Sequence, residues 1–370
     1  MNTESNIRML VALALLPRLN LRNFLPLFEH CGGIEGFFLE NEKNLHALYA
    51  ELHIPGNVPD RRAILKQAEQ EMKSLDRHHI RVCSSEHLSY PSLLTLCPDA
   101  PLVFFYKGEL DTTHLFRLAI VGTRKASERC KNRIDHLVRE LAESQAPLLL
   151  VSGLAYGIDI SAHRASIKYG LKTYAVLGHG LNLIYPVSHR QTAEKILEAG
   201  GALLSEFPCS STIRPVNFLQ RNRIIAGLSH ATLVAESAEK GGAMATARMA
   251  WSYNRDVMAI PGRPDDQMSA GCNLLIKQNL AALTENATDI VRMMGLPVHS
   301  PKETQTSFDF FDPDKNEKKI LQLFREKGEL DADSLSRLTH IPVQELQALL
   351  LQLELKGRVI SLSGNRYLLC

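Results

Sequence analysis

Residues 148–170 read LLLVSGLAYGIDISAHRASIKYG. The apolar run Leu148 to Val151 is too short for a helix and stops at a glycine turn, as a buried strand does. The turn Ser152-Gly153-Leu154-Ala155-Tyr156-Gly157 follows, and Asp159 to Tyr169 then has helix length, with Asp159 placed to cap it. Strand, glycine turn and helix make half of a β-α-β unit. Working outward, short apolar runs recur at Ile80 to Cys83, Leu102 to Tyr106, Leu118 to Val121, Thr173 to Leu177, Ala202 to Ser205, Ala231 to Ala235 and Asp256 to Ile260. Helix-length stretches separate most of the later runs, at Cys130 to Ser144, His189 to Ala199 and Met244 to Tyr253. This alternation predicts an α/β fold, an extended Rossmann-like open sheet over residues 76–296. Such sheets bind ligands beyond the carboxyl ends of their strands.

The flanks read differently. Residues 1–75 hold five short helical stretches, Ile7 to Leu16, Leu21 to Cys31, Glu35 to Leu39, Leu45 to Leu52 and Pro59 to Asp76. With the Gly32-Gly33 turn they suggest a small helical domain similar to sterile-alpha-motif or helix-hairpin-helix modules. Residues 297–316 are polar and aperiodic, as in a linker. Glu317 to Lys327, Asp331 to Thr339 and Pro342 to Lys356 then read as three helices. A hairpin of Arg358 to Ser361 with Asn365 to Leu369 completes a winged-helix-like domain over residues 317–370.

Composition bounds the function. A chain of 370 residues that is 45% hydrophobic and 22% charged is an ordinary globular protein, which excludes wholesale disorder and collagen-like repeats. No apolar run approaches the ~20 residues of a membrane span. The run Met9 to Leu16 after Arg8 imitates a signal peptide, but Glu4 spoils its basic leader and Ala12 and Ala14 lie inside it, so it reads as a helix. Seven cysteines without a C-x-x-C pair point to reduced thiols, a cytoplasmic location and no metal site. The formal net charge of +2 points away from nucleic acid until it is divided. Residues 76–296 carry 24 basic and 20 acidic side chains, whereas each flank carries one more acid than base.

The strand-end loops hold the candidate residues. In Gly122-Thr123-Arg124-Lys125 a glycine turn meets a hydroxyl and two cations ahead of a helix start, a receptive place for an anion. Ser152 to Gly157 repeats the logic without the letters of G-x-G-x-x-G or of a Walker A loop, which lowers the case for a dehydrogenase or a P-loop ATPase. His163, one turn into the next helix, reads as a structural hydrogen-bonding group ahead of a general base. Gly178-His179-Gly180 permits close backbone approach. Arg214 opens the stretch Phe218-Leu-Gln-Arg221-Asn222-Arg223, where 218 and 221 share a helix face. That pairing sets a ring able to stack on a base beside a guanidinium able to hold phosphate. The competing reading makes Phe218 core and pairs the arginines with Glu206 or Glu236; Arg221 and Arg223 do not share a face. Gly241-Gly242 precedes a small-residue helix and makes another anion-receptive start. No catalytic pair and no metal cluster stands out among these loops, and a broad phosphate-lined rim favours holding a polyanion over turning over a small substrate.

At these residues the chain resembles the DNA-processing protein A (DprA/Smf) family, through V-G-T-R, S-G-L-A-x-G-I-D-x-x-A-H, Y-P, R-N-R-I-I-A-G-L-S, G-G-x-x-x-T-A and P-G…G-x-N-x-L-I in order. The resemblance implies a homodimer without enzymatic activity or cofactor that binds single-stranded DNA, protects it and loads the RecA recombinase in natural transformation. Carried over, Gly122 to Arg124, Ser152 to Gly157, Phe218, Arg221 and Gly241-Gly242 cradle the backbone and stack a base. The chain departs from the family with Leu219 where proline is common, Gly241 where serine is usual, and Asn279-Leu280 where Gly-Ala is typical. The helix 342–356 carries Glu345 and Glu354 against Lys356, unlike a major-groove reader, so its module is expected to make protein contacts or serve structure. A phosphoribohydrolase-like nucleotide enzyme is the alternative, with Glu236 and Gly241-Gly242 as a partial echo of its P-G-G-x-G-T loop.

Overall fold

The computed structural model describes residues 3–16, 21–54, 56–110, 115–296, 315–355, 358–362 and 365–369. They form two compact units, Met1–Ser300 and Pro301–Cys370.

The first unit begins with helices α1 (Thr3–Ala14), α2 (Leu21–Cys31), α3 (Ile34–Leu39), α4 (Glu42–Glu51) and α5 (Arg61–Arg77). The chain then runs through β1 (Arg81–Ser84), α6 (Ser92–Thr95), β2 (Val103–Gly108), β3 (Phe116–Val121), α7 (Glu128–Glu143), β4 (Leu148–Ser152), α8 (Ile158–Lys168) and β5 (Thr173–Val176). It continues with α9 (Arg190–Glu198), β6 (Ala202–Ser205), α10 (Pro215–Leu228), β7 (Ala231–Val234), α11 (Gly242–Ser252), β8 (Asp256–Ala259), α12 (Ala270–Lys277), β9 (Ala282–Leu283) and α13 (Ala287–Met293).

Nine strands make one sheet in the order β1-β2-β6-β5-β4-β3-β7-β8-β9. From β6 to β9 every neighbouring pair is parallel, as the alternation of strand and helix requires. Strands β1 and β2 are antiparallel, to each other and to β6. Both faces are covered. Along β3, Leu118 and Ile120 pack under α7, α8 and α13, whereas Ala119 and Val121 join the opposite core with α10, α11 and α12. This explains why the strands read as unbroken apolar runs rather than alternating ones. Leu13, Leu27, Phe37 and Leu45 of the first helices belong to the same core as Phe104 of β2 and Val121 of β3, so the N-terminal helices are built into the sheet's unit. After β6 the chain returns to pair β7 on the free side of β3, which sets the topological switch point at the carboxyl ends of β3 and β7.

The second unit contains α14 (Lys315–Lys327), β10 (Leu330–Asp331), α15 (Ala332–Thr339), α16 (Val343–Leu355), β11 (Val359–Leu362) and β12 (Arg366–Leu369). Its three strands lie in the order β10-β12-β11 over a core of Ile320, Phe324, Leu335, Leu346, Leu350 and Val359, a winged-helix arrangement. Most of the stretch read as a linker, residues 297–314, lies outside the described residues, and α14 starts at Lys315. No helix among the described residues is long and apolar enough to cross a membrane. The described cysteines, Cys31, Cys83, Cys97, Cys130, Cys209 and Cys272, are free thiols.

Candidate nucleic-acid interface

A cleft of about 270 Å³ opens at the switch point, between the end of β3 and the starts of α8, α10 and α11. Gly122, Arg124, Ala155, Phe218, Arg221, Asn222 and Gly242 line it. Seven residues expected from the sequence are thus brought to one place. Gly242 and Ala243, the first residues of α11, lie on the cleft wall, and their N–H groups have no partner within the helix, whereas Met244 N donates to Gly241 O at 3.1 Å.

Phe218 is positioned by backbone rather than by bulk. A Cβ on Gly178 would lie 2.9 Å from the Phe218 ring and 3.2 Å from its backbone, so only glycine lets the ring settle over the end of β5. The Arg124 guanidinium lies 5.5 Å from the ring centroid and the Tyr185 ring 5.8 Å away, tilted by 45°. Arg124 is exposed and Phe218 only partly buried, so a flat ring and a cation face solvent together.

Beneath them the site is rigid. Arg221 is 3% exposed; its Nη1 donates to the carbonyl oxygens of Gly153, at 2.7 Å, and Val176. Burial lowers its pKa to about 10, while the nearby Asp159 opposes that shift. Burial raises the pKa of Asp159, and the Arg221 charge pulls it back down. The sequence placed Asp159 at the cap of α8, but Gly157 holds that position without a side-chain bond, and the Asp159 carboxylate instead accepts from Ala155 N at 3.4 Å. Gly157 has φ +77°, and a Cβ there would lie 2.1 Å from Thr123 O, which fixes the β3 and β4 loops against each other. Leu154 is fully buried with φ +55°, a strained setting for a side chain, and its carbonyl accepts from His189 Nδ1 at 2.8 Å.

Other expected residues lie around the cleft rather than on its wall. Ser152 is buried and donates to Ile120 O at 2.6 Å, joining adjacent strand ends. Thr123 N donates to Glu236 O at 2.7 Å. Arg214 is exposed at the cap of α10, and Gly241 caps α11. Arg223 follows the competing reading: it pairs with Glu206 and also donates to Asp99 O. His179 is buried, with Nδ1 on Gly180 O and Nε2 accepting from Tyr185 N at 3.2 Å, and burial lowers its pKa. His163 is buried as well, with Nδ1 donating to Thr173 Oγ1 at 2.8 Å, and burial pushes its pKa down to about 3. The sequence reading overlooked Asn217, whose amide holds Thr212 O at 3.0 Å, and Thr246 on the cleft wall. Thr246 stands inside the quoted G-G-x-x-x-T-A motif and Asn217 directly before Phe218, so their spacing from Gly241-Gly242 and from Phe218 was the available signal.

The family profile described as DNA recombination-mediator protein A matches residues 81–295, and the DprA winged helix domain matches residues 308–365. Protein Smf of Escherichia coli is 37% identical over 78% of this chain and 76% of its own length. DNA processing protein DprA of Streptococcus pneumoniae is 37% identical over 55% of this chain and 70% of its own length. In structure, DNA processing protein A of S. pneumoniae superposes with a TM-score of 0.56 at 29% identity, covering 74% of this chain and 98% of that one. DNA processing protein A of Helicobacter pylori, described with a single-stranded DNA binding mode, has a TM-score of 0.51 at 28% identity, covering 59% and 97%.

Proposed function

The chain belongs to the DNA-processing protein A (DprA/Smf) family, and from that premise we propose that it binds single-stranded DNA at the switch-point cleft and hands the strand to RecA during transformation and recombination. The observation that carries the reading is the Phe218 ring, seated on Gly178 with the Arg124 guanidinium 5.5 Å from its centroid. A ring accepts any base by stacking, and a cation beside it accepts the adjoining phosphate, so the pair serves a strand of any sequence. The N–H groups at the start of α11 and the amide of Asn222 supply further donors to phosphate. Arg221 works from below, holding the Gly153 loop where a strand can lie on it.

Titration of labelled oligo-dT at two salt concentrations tests this. Binding held by phosphates weakens steeply with salt, with a slope of about 0.7 per contact on a single strand. Absence of binding at low salt, or preference for duplex, overturns the reading. Action as a homodimer predicts a mass of two chains by light scattering, and a monomer at assay concentration removes that part. RecA loading predicts faster RecA assembly on the strand at catalytic amounts of this protein. Release of free base from a nucleoside monophosphate would instead favour the phosphoribohydrolase alternative. The described thiols are consistent with a cytoplasmic setting.

A further inference from the structure

A second cleft, of about 820 Å³, opens at the carboxyl edge of the sheet on the side of α7, between that helix and the loop after β8. It is three times the size of the first, and of the motifs quoted above the P-G pair, Pro261-Gly262, lines it. Arg129, Arg133 and His136 line it from α7, and Arg263 faces them from the loop. Residues 129, 133 and 136 fall on one helix face, beside the face that buries Ile134, Leu137 and Leu141. Arg129, Arg133, His136 and Arg263 are all exposed. Arg129 and Arg263 have no side-chain hydrogen bond or ion pair among the described residues, and Arg133 donates to the backbone oxygen of Glu285 at 2.7 Å.

Acids line the cleft too, but two of them are already committed. Glu236 is buried, and its carboxylate accepts from Ser127 N and Ser127 Oγ, both at 2.8 Å. Asp266 accepts from Met268 N at 2.9 Å and from Ser269 Oγ at 2.8 Å, and those bonds hold its carboxyl below the usual range. Asp265 alone is left exposed against the basic side chains. Arg129, Arg133 and Arg263 therefore keep exposed donors at the mouth of the cleft, with the Asp266 charge acting on Arg263.

The ridge between the two clefts is short and stiff. Arg124 lines the first and Ser127 the second, three residues further on. Glu236 ties that ridge to the end of β7 through its carbonyl on Thr123 N and its carboxylate on Ser127. We infer that the α7 cleft is a second phosphate-binding site, which takes the backbone of the same DNA strand after it crosses the Thr123–Ser127 ridge. The inference rests on the single-strand reading above and lengthens its footprint. Stacking on Phe, Tyr or Trp is confined to the first cleft, since none of these lines the second.

The test compares a short oligo-dT of about four nucleotides, the lower end of single-strand site sizes, with one of about twenty, longer than their upper end. The wild type and the double variant Arg129→Ala with Arg263→Ala are titrated with each at several salt concentrations. The short strand fills the first cleft, so both proteins should bind it equally. The long strand should bind the variant about tenfold more weakly, with a salt slope smaller by about 1.4, two contacts at 0.7 each. Arg129→Lys with Arg263→Lys should restore most of the loss, because a phosphate contact needs the charge and not the fork. Equal weakening on both strands overturns the inference by placing the arginines in the first site or in the fold. Unchanged affinity on both strands overturns it as well, leaving the first site intact. Failure of the wild type to bind either strand sinks the single-strand reading itself.

Discussion

Helices α10 and α16 are where a nucleic-acid reader would be sought in each unit, and they are built in opposite ways. α10 starts at the switch point and turns Phe218, Arg221 and Asn222 toward a cleft formed by three other elements. α16 buries Leu346, Leu350 and Leu353 and turns Gln344, Glu345, Gln347 and Leu351 to solvent, with no Lys or Arg between Val343 and Leu355. Its Glu354 accepts from Ser361 of the wing, and Arg366 of the wing pairs with Glu329 at 2.8 Å. The difference teaches that donors and rings gather where several elements converge on a helix start, and that an exposed face without cations has nothing to offer a phosphate chain.

The largest effect should come from the brace under α10. Arg221→Met leaves the buried carbonyls of Gly153 and Val176 without their donor, and the buried Asp159 carboxylate without the guanidinium charge that offsets it. Removing one partner from a buried charged arrangement costs about 3–5 kcal/mol. Urea unfolding followed by circular dichroism should show that loss in the α/β unit, with the winged-helix unit unaffected. A change under about 1 kcal/mol would mean that Arg221 acts at the surface and that the contrast between the helices has been misplaced.

Acid should separate the two units next. His163 has a folded pKa of about 3 against 6.5 for the free side chain, because burial penalises its charged form. Between those values the unfolded chain binds a proton that the folded chain refuses, so stability is full above pH 6.5 and falls as pH drops toward 3. The total loss is on the order of a few kcal/mol. In the second unit Asp331 is held below its usual 3.8 by bonds from Ser334, so the stability it contributes is kept above that pH and lost only below it. Unfolding midpoints should therefore fall first for the α/β unit, and His163→Gln should flatten that fall. Identical acid profiles for the wild type and the variant would remove His163 as the cause.

Most of this contrast was legible in the sequence. The glycine turns and the run of buried strands announce the parallel sheet, because apolar runs covered on both faces carry no alternation to misread. Strand direction is not written in a run of four to six residues, so the antiparallel placement of β1 and β2 emerges only from their pairing. β9 is two residues long, too short to carry a period. The choice between Arg221 and Arg223 was also out of reach: both sit on one helix, and only the position of Glu206 and the open carbonyls of Gly153 and Val176 decide what each one does. Glu236 looked like a candidate for chemistry, yet its carboxylate is taken up by Ser127 from a loop 109 residues away.

Phe218→Ala should weaken single-strand binding by about 1–3 kcal/mol, the range for loss of one stacked base, with thermal stability little changed. Arg124→Ala should weaken it less and lower the salt slope by about 0.7. The two losses should add to less than their sum, since the Arg124 cation lies against the Phe218 ring and each orders the other. Full additivity would mean that the pair does not act as one clamp.

The smallest effect is expected on α16. Gln347→Ala alters an exposed side chain on a face without cations, where substitutions usually stay within about 0.5 kcal/mol. Affinity for a single strand or for duplex should then be unchanged in filter binding at low salt. Glutamine can reach an adenine edge in a major groove, so this substitution is one on α16 that a hidden duplex reader would feel. A tenfold loss of duplex binding would give the winged-helix unit a recognition helix after all. It would also show that neutral side chains can carry recognition where the phosphates are held by some other surface of the same unit.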